Sequence, residues 1–116
     1  MTGAELQDRL TAEGLAGRLG ASVQSWANGP GDRYGEHAHD YDKVLLVEGG
    51  SITFGLATGA VELEAGDRLD LPAGSSHGAV VGAEGVRCLE AHLERGSLPS
   101  AARHEGWAKP QSARGS

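Results

Sequence analysis

The sequence predicts an all-β fold, a sandwich or barrel, preceded by one short helix. Three observations predict it. Of 116 residues, 19 are glycine, more than twice the usual share of about 7%, and they follow no period. Short apolar runs lie between turn signals at Gly49-Gly50, Thr58-Gly59, Ala65-Gly66-Asp67, Pro72-Ala73-Gly74 and Gly82 to Gly85. Strand-like runs recur about every ten residues with no useful helix between them, which argues against βαβ units.

The helix is read from Leu6, Leu10, Leu15 and Leu19, at roughly helical spacing within residues 4–19. Gly14 and Gly17 weaken its second half. Residues 21–28, "ASVQSWAN", alternate as a strand, with Ser22, Gln24 and Trp26 on one face and Val23 and Ser25 on the other. "NGPG", 28–31, is a turn. Strands follow at 33–39, 42–48, 51–57, 60–64, 68–71, 77–82 and 85–93. The expected organisation is one domain: a helical segment over 1–20, a barrel over 21–95 and a C-terminal tail over 96–116. Trp107 is expected to pack back on the body, and 109–116 to fray.

The net charge is −6, without a basic stripe, so nucleic acid is not an expected partner. Anionic membrane surfaces are disfavoured for the same reason, and no apolar run is long enough for a span. The first residues, "MTGAELQDRLTAEG", are acidic and lack the apolar core of a signal peptide. A cytoplasmic protein is the expectation. Cys88, the single cysteine, reads as a small core residue. Ser75 and Ser76 have no nucleophile elbow around them and read as turn residues.

Chemistry is expected from three histidines. His37 and His39 stand one residue apart, so in a strand they project to one side. His77 follows two turns and opens a later strand. Neutral imidazoles bind first-row divalent metals. Two on one face and a third from a distant strand make a triad with open positions, as a catalytic metal requires. Alone, the pair would read as surface histidines.

These stretches resemble the two sequence blocks of the cupin superfamily. The first block runs glycine, five residues, His-x-His, three or four residues, glutamate, six residues, glycine. Gly31, His37, His39 and Gly50 fit it, and Lys43 stands in place of glutamate. The second runs glycine, five residues, Pro-x-Gly, two residues, histidine, three residues, asparagine. Gly66, Pro72, Gly74 and His77 fit, and Val81 replaces asparagine. The resemblance implies a cupin jelly-roll β-barrel with a metal on its inner wall, held by His37, His39 and His77. It also implies a homodimer formed through sheet edges or N-terminal strands, with the strand at 21–28 and Trp26 as the natural contact.

Lys43 is the anomaly. Facing inward, an ammonium near a divalent ion must lose its proton or pair with an acid, and it can anchor a substrate anion. Facing outward, past a bulge near residues 40–42, it would meet solvent, Asp42 or Glu48. Strict alternation lets only one of Asp42 and Lys43 face the cavity. Asp42 and Tyr41 are candidate substitutes for the absent carboxylate. Tyr34, with Arg33, is placed at the entrance, and Lys43, Tyr41 and Tyr34 are the candidate catalytic groups. Glu90 and His92 share a face with Cys88. That face could line the cavity and bring Glu90 or His92 toward the metal, with Glu90 then available as an acid–base group. The outward reading is preferred, because Leu89, Ala91 and Leu93 form an apolar set on the opposite face. Arg68 and Asp70 are expected to be solvated.

The expected function is a metal-dependent enzyme using Fe(II), Zn, Ni or Mn on a small anionic or oxygen-chelating substrate, of dioxygenase or isomerase type. The alternative is a non-catalytic ligand-binding or sensor module.

Overall fold

The computed structural model describes residues 1–15 and 22–108. Thr2 starts the helix, α1 (Gly3–Ala12). Its hydroxyl accepts from the Glu5 amide at 3.1 Å, and the Glu5 carboxylate accepts from the Thr2 amide at 2.9 Å. This reciprocal cap satisfies two donors that a helix start otherwise leaves open. The helix ends well before the predicted residue 19, and residues 16–19 of that prediction lie outside the described residues.

Among the described residues seven strands follow: β1 (Ser22–Asn28), β2 (Arg33–His37), β3 (Asp42–Leu56), β4 (Gly59–Glu64), β5 (Arg68–Leu71), β6 (His77–Leu93) and β7 (Ala102–His104). All pair antiparallel in one sheet, ordered β1-β6-β3-β5-β7, with β2 also on β6 and β4 also on β3. The two long strands correct the sequence reading, which cut each in two at its glycines. The glycines bend these strands without ending them. The β3–β6 register shifts between Val47 and Gly49 and again between Gly50 and Ile52, and such bulges sharpen a strand's bend. The first half of β3 pairs with β5 and the second with β4. One sheet thereby folds over its own core.

That core holds Leu45, Val47, Ile52, Phe54, Leu63, Leu69, Leu71, Val81, Val86 and Cys88. A second core lies on the other face of β3 and β6, where Val44, Leu46, Leu89, Ala91 and Leu93 meet Leu6, Leu10 and Leu98. The run from Val44 to Val47 is therefore buried on both faces, which explains its unbroken apolar character.

The C-terminal segment is tied to the body as far as residue 108, and the expected fraying of 109–116 lies outside the described residues. β7 pairs with β5. Asp67 accepts from the Gly106 amide at 2.9 Å and from Arg103 at 3.2 Å. Trp107 does pack back, against the second core.

The bend at Gly50 gives a direct test. Its φ is +73°, and an added Cβ would stand 1.9 Å from the Gly85 carbonyl oxygen. Gly50→Ala is expected to lower stability by about 2–4 kcal/mol, from left-handed strain and overpacking together. Urea unfolding measures it, and an unchanged midpoint would show that the two bends do not touch.

Candidate metal centre

The turn chemistry positions the three histidines. β2 ends at His37, which pairs with His77 at the start of β6. His39 lies just past β2, where its carbonyl accepts from the Gly74 amide at 2.8 Å. This bond ties the Pro72–Ser75 turn to the His-x-His stretch. The ring centroids lie 4.8 Å apart for His37 and His39, 4.5 Å for His37 and His77, and 5.4 Å for His39 and His77. One ligand atom from each falls within 4.8 Å of the others.

Two rings have an assignable tautomer. His37 Nδ1–H donates to the Gly35 carbonyl at 2.7 Å, and His77 Nδ1–H to the Ser75 carbonyl at 2.9 Å. A carbonyl only accepts, so each Nε2 keeps its lone pair. The Nε2 atoms of His39 and His77 are buried and have no hydrogen-bond partner. Orphaned buried polar atoms are rare and costly. Ring N–H groups held by carbonyls, with the opposite nitrogens converging, are the arrangement that orients imidazoles toward a metal. The residues fit a divalent ion. Among the described residues no carboxylate joins the cluster.

His39 and His77 both titrate below the ordinary histidine value of 6.5. Burial is the main cause, and the Lys43 ammonium adds to it. The unfolded chain then takes up protons first as pH falls from about 6.5. The metal-free protein is expected to lose stability between about pH 7 and pH 5, and thermal unfolding across that range checks the sign.

The histidines open on a cavity of about 290 Å³ lined by Trp26, Tyr34, Tyr41, Lys43, Phe54 and Glu90, among others. This volume is at the small end for ligand sites, which run roughly 300–1,000 Å³. All three candidate catalytic side chains reach this wall. Tyr34 donates its hydroxyl to Asn28. Tyr41 stacks on His39 at 4.9 Å and meets His92 at 4.3 Å. Burial raises the titration of both phenols, and neighbouring carboxylates raise it further, so they remain protonated donors.

Lys43 faces in. Its side chain is 11% exposed, and its Nζ lies 3.4 Å from Glu90 Oε1. The outward alternative therefore falls, since Glu48 pairs with the N-terminus instead. Asp42 points the other way, as alternation requires. Its carboxylate accepts from the Ala73 and Leu98 amides, each at 2.7 Å. It is a turn anchor and not a substitute ligand.

Two further expectations differ in the structure. Glu90 and His92 do not form an outward face. Glu90 lines the cavity, while Leu89, Ala91 and Leu93 serve the second core under α1. Trp26 also turns inward, donating Nε1–H to Glu90 at 3.1 Å. Arg68 is fully buried rather than solvated. Burial pushes the Glu90 carboxyl up, but the His92 hydrogen bond and the Lys43 charge outweigh it and hold the group below its usual value. One signal for Glu90 was available in the sequence. An amphipathic N-terminal helix needs an apolar surface, and Leu89, Ala91 and Leu93 provide it.

No family model and no curated protein sequence matches the chain. Solved structures do. KdgF from Halomonas sp. is 21% identical with a TM-score of 0.59, over 65% of this chain and 70% of that one. A cupin superfamily protein from Desulfitobacterium hafniense is 19% identical with a TM-score of 0.58, over 64% and 67%. The oxalate decarboxylase of Bacillus subtilis, described for its Mn(II) centres, is 18% identical with a TM-score of 0.58, over 66% of this chain but 22% of its own. The chain thus spans less than a quarter of that enzyme's length. Antiparallel strands folded over a cavity, three histidines on its wall and this shared architecture give the chain the cupin fold.

Proposed function

We propose that the protein is a metal-dependent enzyme acting on a small anionic or oxygen-chelating substrate. One observation carries this reading: two buried, unpartnered Nε2 atoms in a three-histidine cluster on the wall of a ligand-sized cavity. His37, His39 and His77 hold the metal. Fe(II), Zn and Ni suit an imidazole set. Mn favours oxygen ligands and stays among the candidates because of the Mn(II) centres of the Bacillus subtilis oxalate decarboxylase. When bound, such an ion supplies Lewis-acid polarisation or, as iron, dioxygen chemistry.

The protein's own groups define the substrate side. Three neutral imidazoles leave a divalent ion's charge uncompensated. Lys43 adds a cation that Glu90 neutralises, so the loaded cavity favours an anion. Lys43 anchors that anion, with Tyr41 and Tyr34 as neutral donors. A homodimer in the cytoplasm completes the proposal, with β1 as the contact because it stands at one end of the strand order. Among the described residues no helix is long and apolar enough to cross a membrane.

Elemental analysis after reconstitution with each of the four metals tests the reading. One ion per chain is expected, and a chain that binds none of them sinks it. Lys43→Met is expected to weaken binding of small carboxylates to the loaded protein about 10-fold or more, the worth of a hydrogen bond to a charged group. Calorimetry measures this, and equal affinity would remove Lys43 from the substrate site.

A further inference from the structure

Among the described residues that line the cavity, Glu90 is the one carboxylate. Both of its oxygens are engaged. Oε1 accepts from Trp26 Nε1 at 3.1 Å and faces Lys43 Nζ at 3.4 Å, while Oε2 lies 2.5 Å from His92 Nε2. The His92 side chain is 26% exposed against 13% for Glu90. His92 is absent from the cavity lining. It is held by the Tyr41 ring, 4.3 Å away. The carboxylate therefore stands between the cavity and an imidazole that reaches water.

We propose that Glu90 and His92 are the acid–base couple of this site, Glu90 taking a proton from the carbon beside a substrate carbonyl and His92 exchanging it with water. The inference rests on the enzyme reading above and narrows it to proton-transfer chemistry on a small carboxylate that bears a carbonyl. Its geometric basis is the juxtaposition of Glu90 and Lys43. A base and a cation side by side match a C–H and the oxygen of the adjacent C=O. The C–H bond breaks and the proton goes to Glu90. The freed pair forms a C=C bond, and the carbonyl π pair moves to oxygen, where the Lys43 ammonium holds the charge. Reprotonation of the same carbon regenerates the substrate. In a 2-hydroxy carbonyl compound, protonation of the former carbonyl carbon, with the hydroxyl proton passing to the other oxygen, moves the carbonyl along the chain. No oxidant or reductant enters.

Pyruvate and 2-oxobutyrate are the probes. The metal-loaded protein in D2O is expected to wash deuterium into the carbon beside their carbonyl, read by mass spectrometry. Glu90→Gln is expected to slow this about 100-fold or more, within the usual range for a general base, with metal content unchanged. His92→Ala is expected to slow it too, and added imidazole to restore it, which a purely structural role would not allow. In the metal-free protein at low temperature, NMR is expected to show a His92 ring N–H resonance moved downfield by its bond to Glu90, and Glu90→Gln is expected to lose that shift. If Glu90→Gln does not fold, Glu90→Asp keeps the charge and should wash in deuterium more slowly than wild type. Wild-type exchange in either Glu90 variant overturns the proposal. So does a loaded protein that binds neither probe or binds them without exchange, and so does failure of imidazole to rescue His92→Ala. A chain that binds no metal overturns the enzyme reading instead, and the His92 N–H signal still reports on the couple.

Discussion

His77→Ala is expected to abolish metal uptake under conditions where the wild-type chain binds one ion. His77 is 2% exposed and sits opposite His37 where β2 meets β6. Its Nδ1 is committed to the Ser75 carbonyl and its Nε2 has no partner. Losing a group that merely orients a ligand typically weakens metal binding about 10–100-fold. Losing the ligand itself, in a set that has no carboxylate, is expected to cost at least about 100-fold. Stability reports the same event independently. A metal at 100 times its Kd stabilises a folded protein by about 2.7 kcal/mol. The wild-type melting temperature should rise with added metal, and that of His77→Ala should not. The metal-free variant is expected to melt near the metal-free wild type, because alanine removes an orphaned acceptor while giving up one hydrogen bond. Equal metal uptake by the two proteins would exclude His77 as a ligand.

The histidine set was legible because strand alternation and turn residues are local signals. Two imidazoles at i and i+2 share a side in any strand, and glycine and proline fix where His77 begins. The sequence left the direction of Lys43 open; alternation ties it to Asp42, and the structure decides it by placing the Asp42 carboxylate on the Ala73 and Leu98 amides. What the sequence hid was burial imposed from a distance. Leu89, Ala91 and Leu93 look like the single apolar face of a half-exposed strand. They are apolar because α1 and the Leu98 region cover them, so Glu90 falls to the cavity. The long strands were misread for a related reason. Gly49-Gly50 and Gly82 to Gly85 have turn composition, but β3 and β6 run past them side by side. Their pairing, a tertiary interaction, converts a turn signal into a bend. The segment after residue 95 is polar and uneven, and nothing local marks Asp67 as its anchor.

Arg68→Met is expected to destabilise the protein by about 3–5 kcal/mol, the range for leaving one member of a buried ion pair uncompensated. The guanidinium is 1% exposed. Its Nε and Nη2 donate to the two Asp70 oxygens at 2.7 and 3.2 Å, and Nη1 donates to Glu13 at 2.8 Å. Trp107 covers it, 4.7 Å from ring centre to guanidinium, with Arg9 at 4.3 Å from the same ring. Burial pulls the Arg68 titration down, but the bonds to Glu13 and Asp70 outweigh it and hold the group above its ordinary value. Methionine keeps the length of the stem and removes every donor, leaving buried Asp70 with His104 at 3.1 Å as its remaining ionic partner. The double variant Arg68→Met/Asp70→Asn should recover much of the loss, because removing both charges of a buried pair is often neutral. Calorimetric or urea unfolding of the three proteins gives the comparison. Metal affinity should be unchanged in each, since the Arg68 cluster links α1, β5 and the C-terminal segment, while the histidines lie on β2, β6 and the turn between β2 and β3. A single variant that loses under 1 kcal/mol would show that the cluster behaves as a surface pair, and a double variant weaker than the single would place the stabilisation in Asp70 itself.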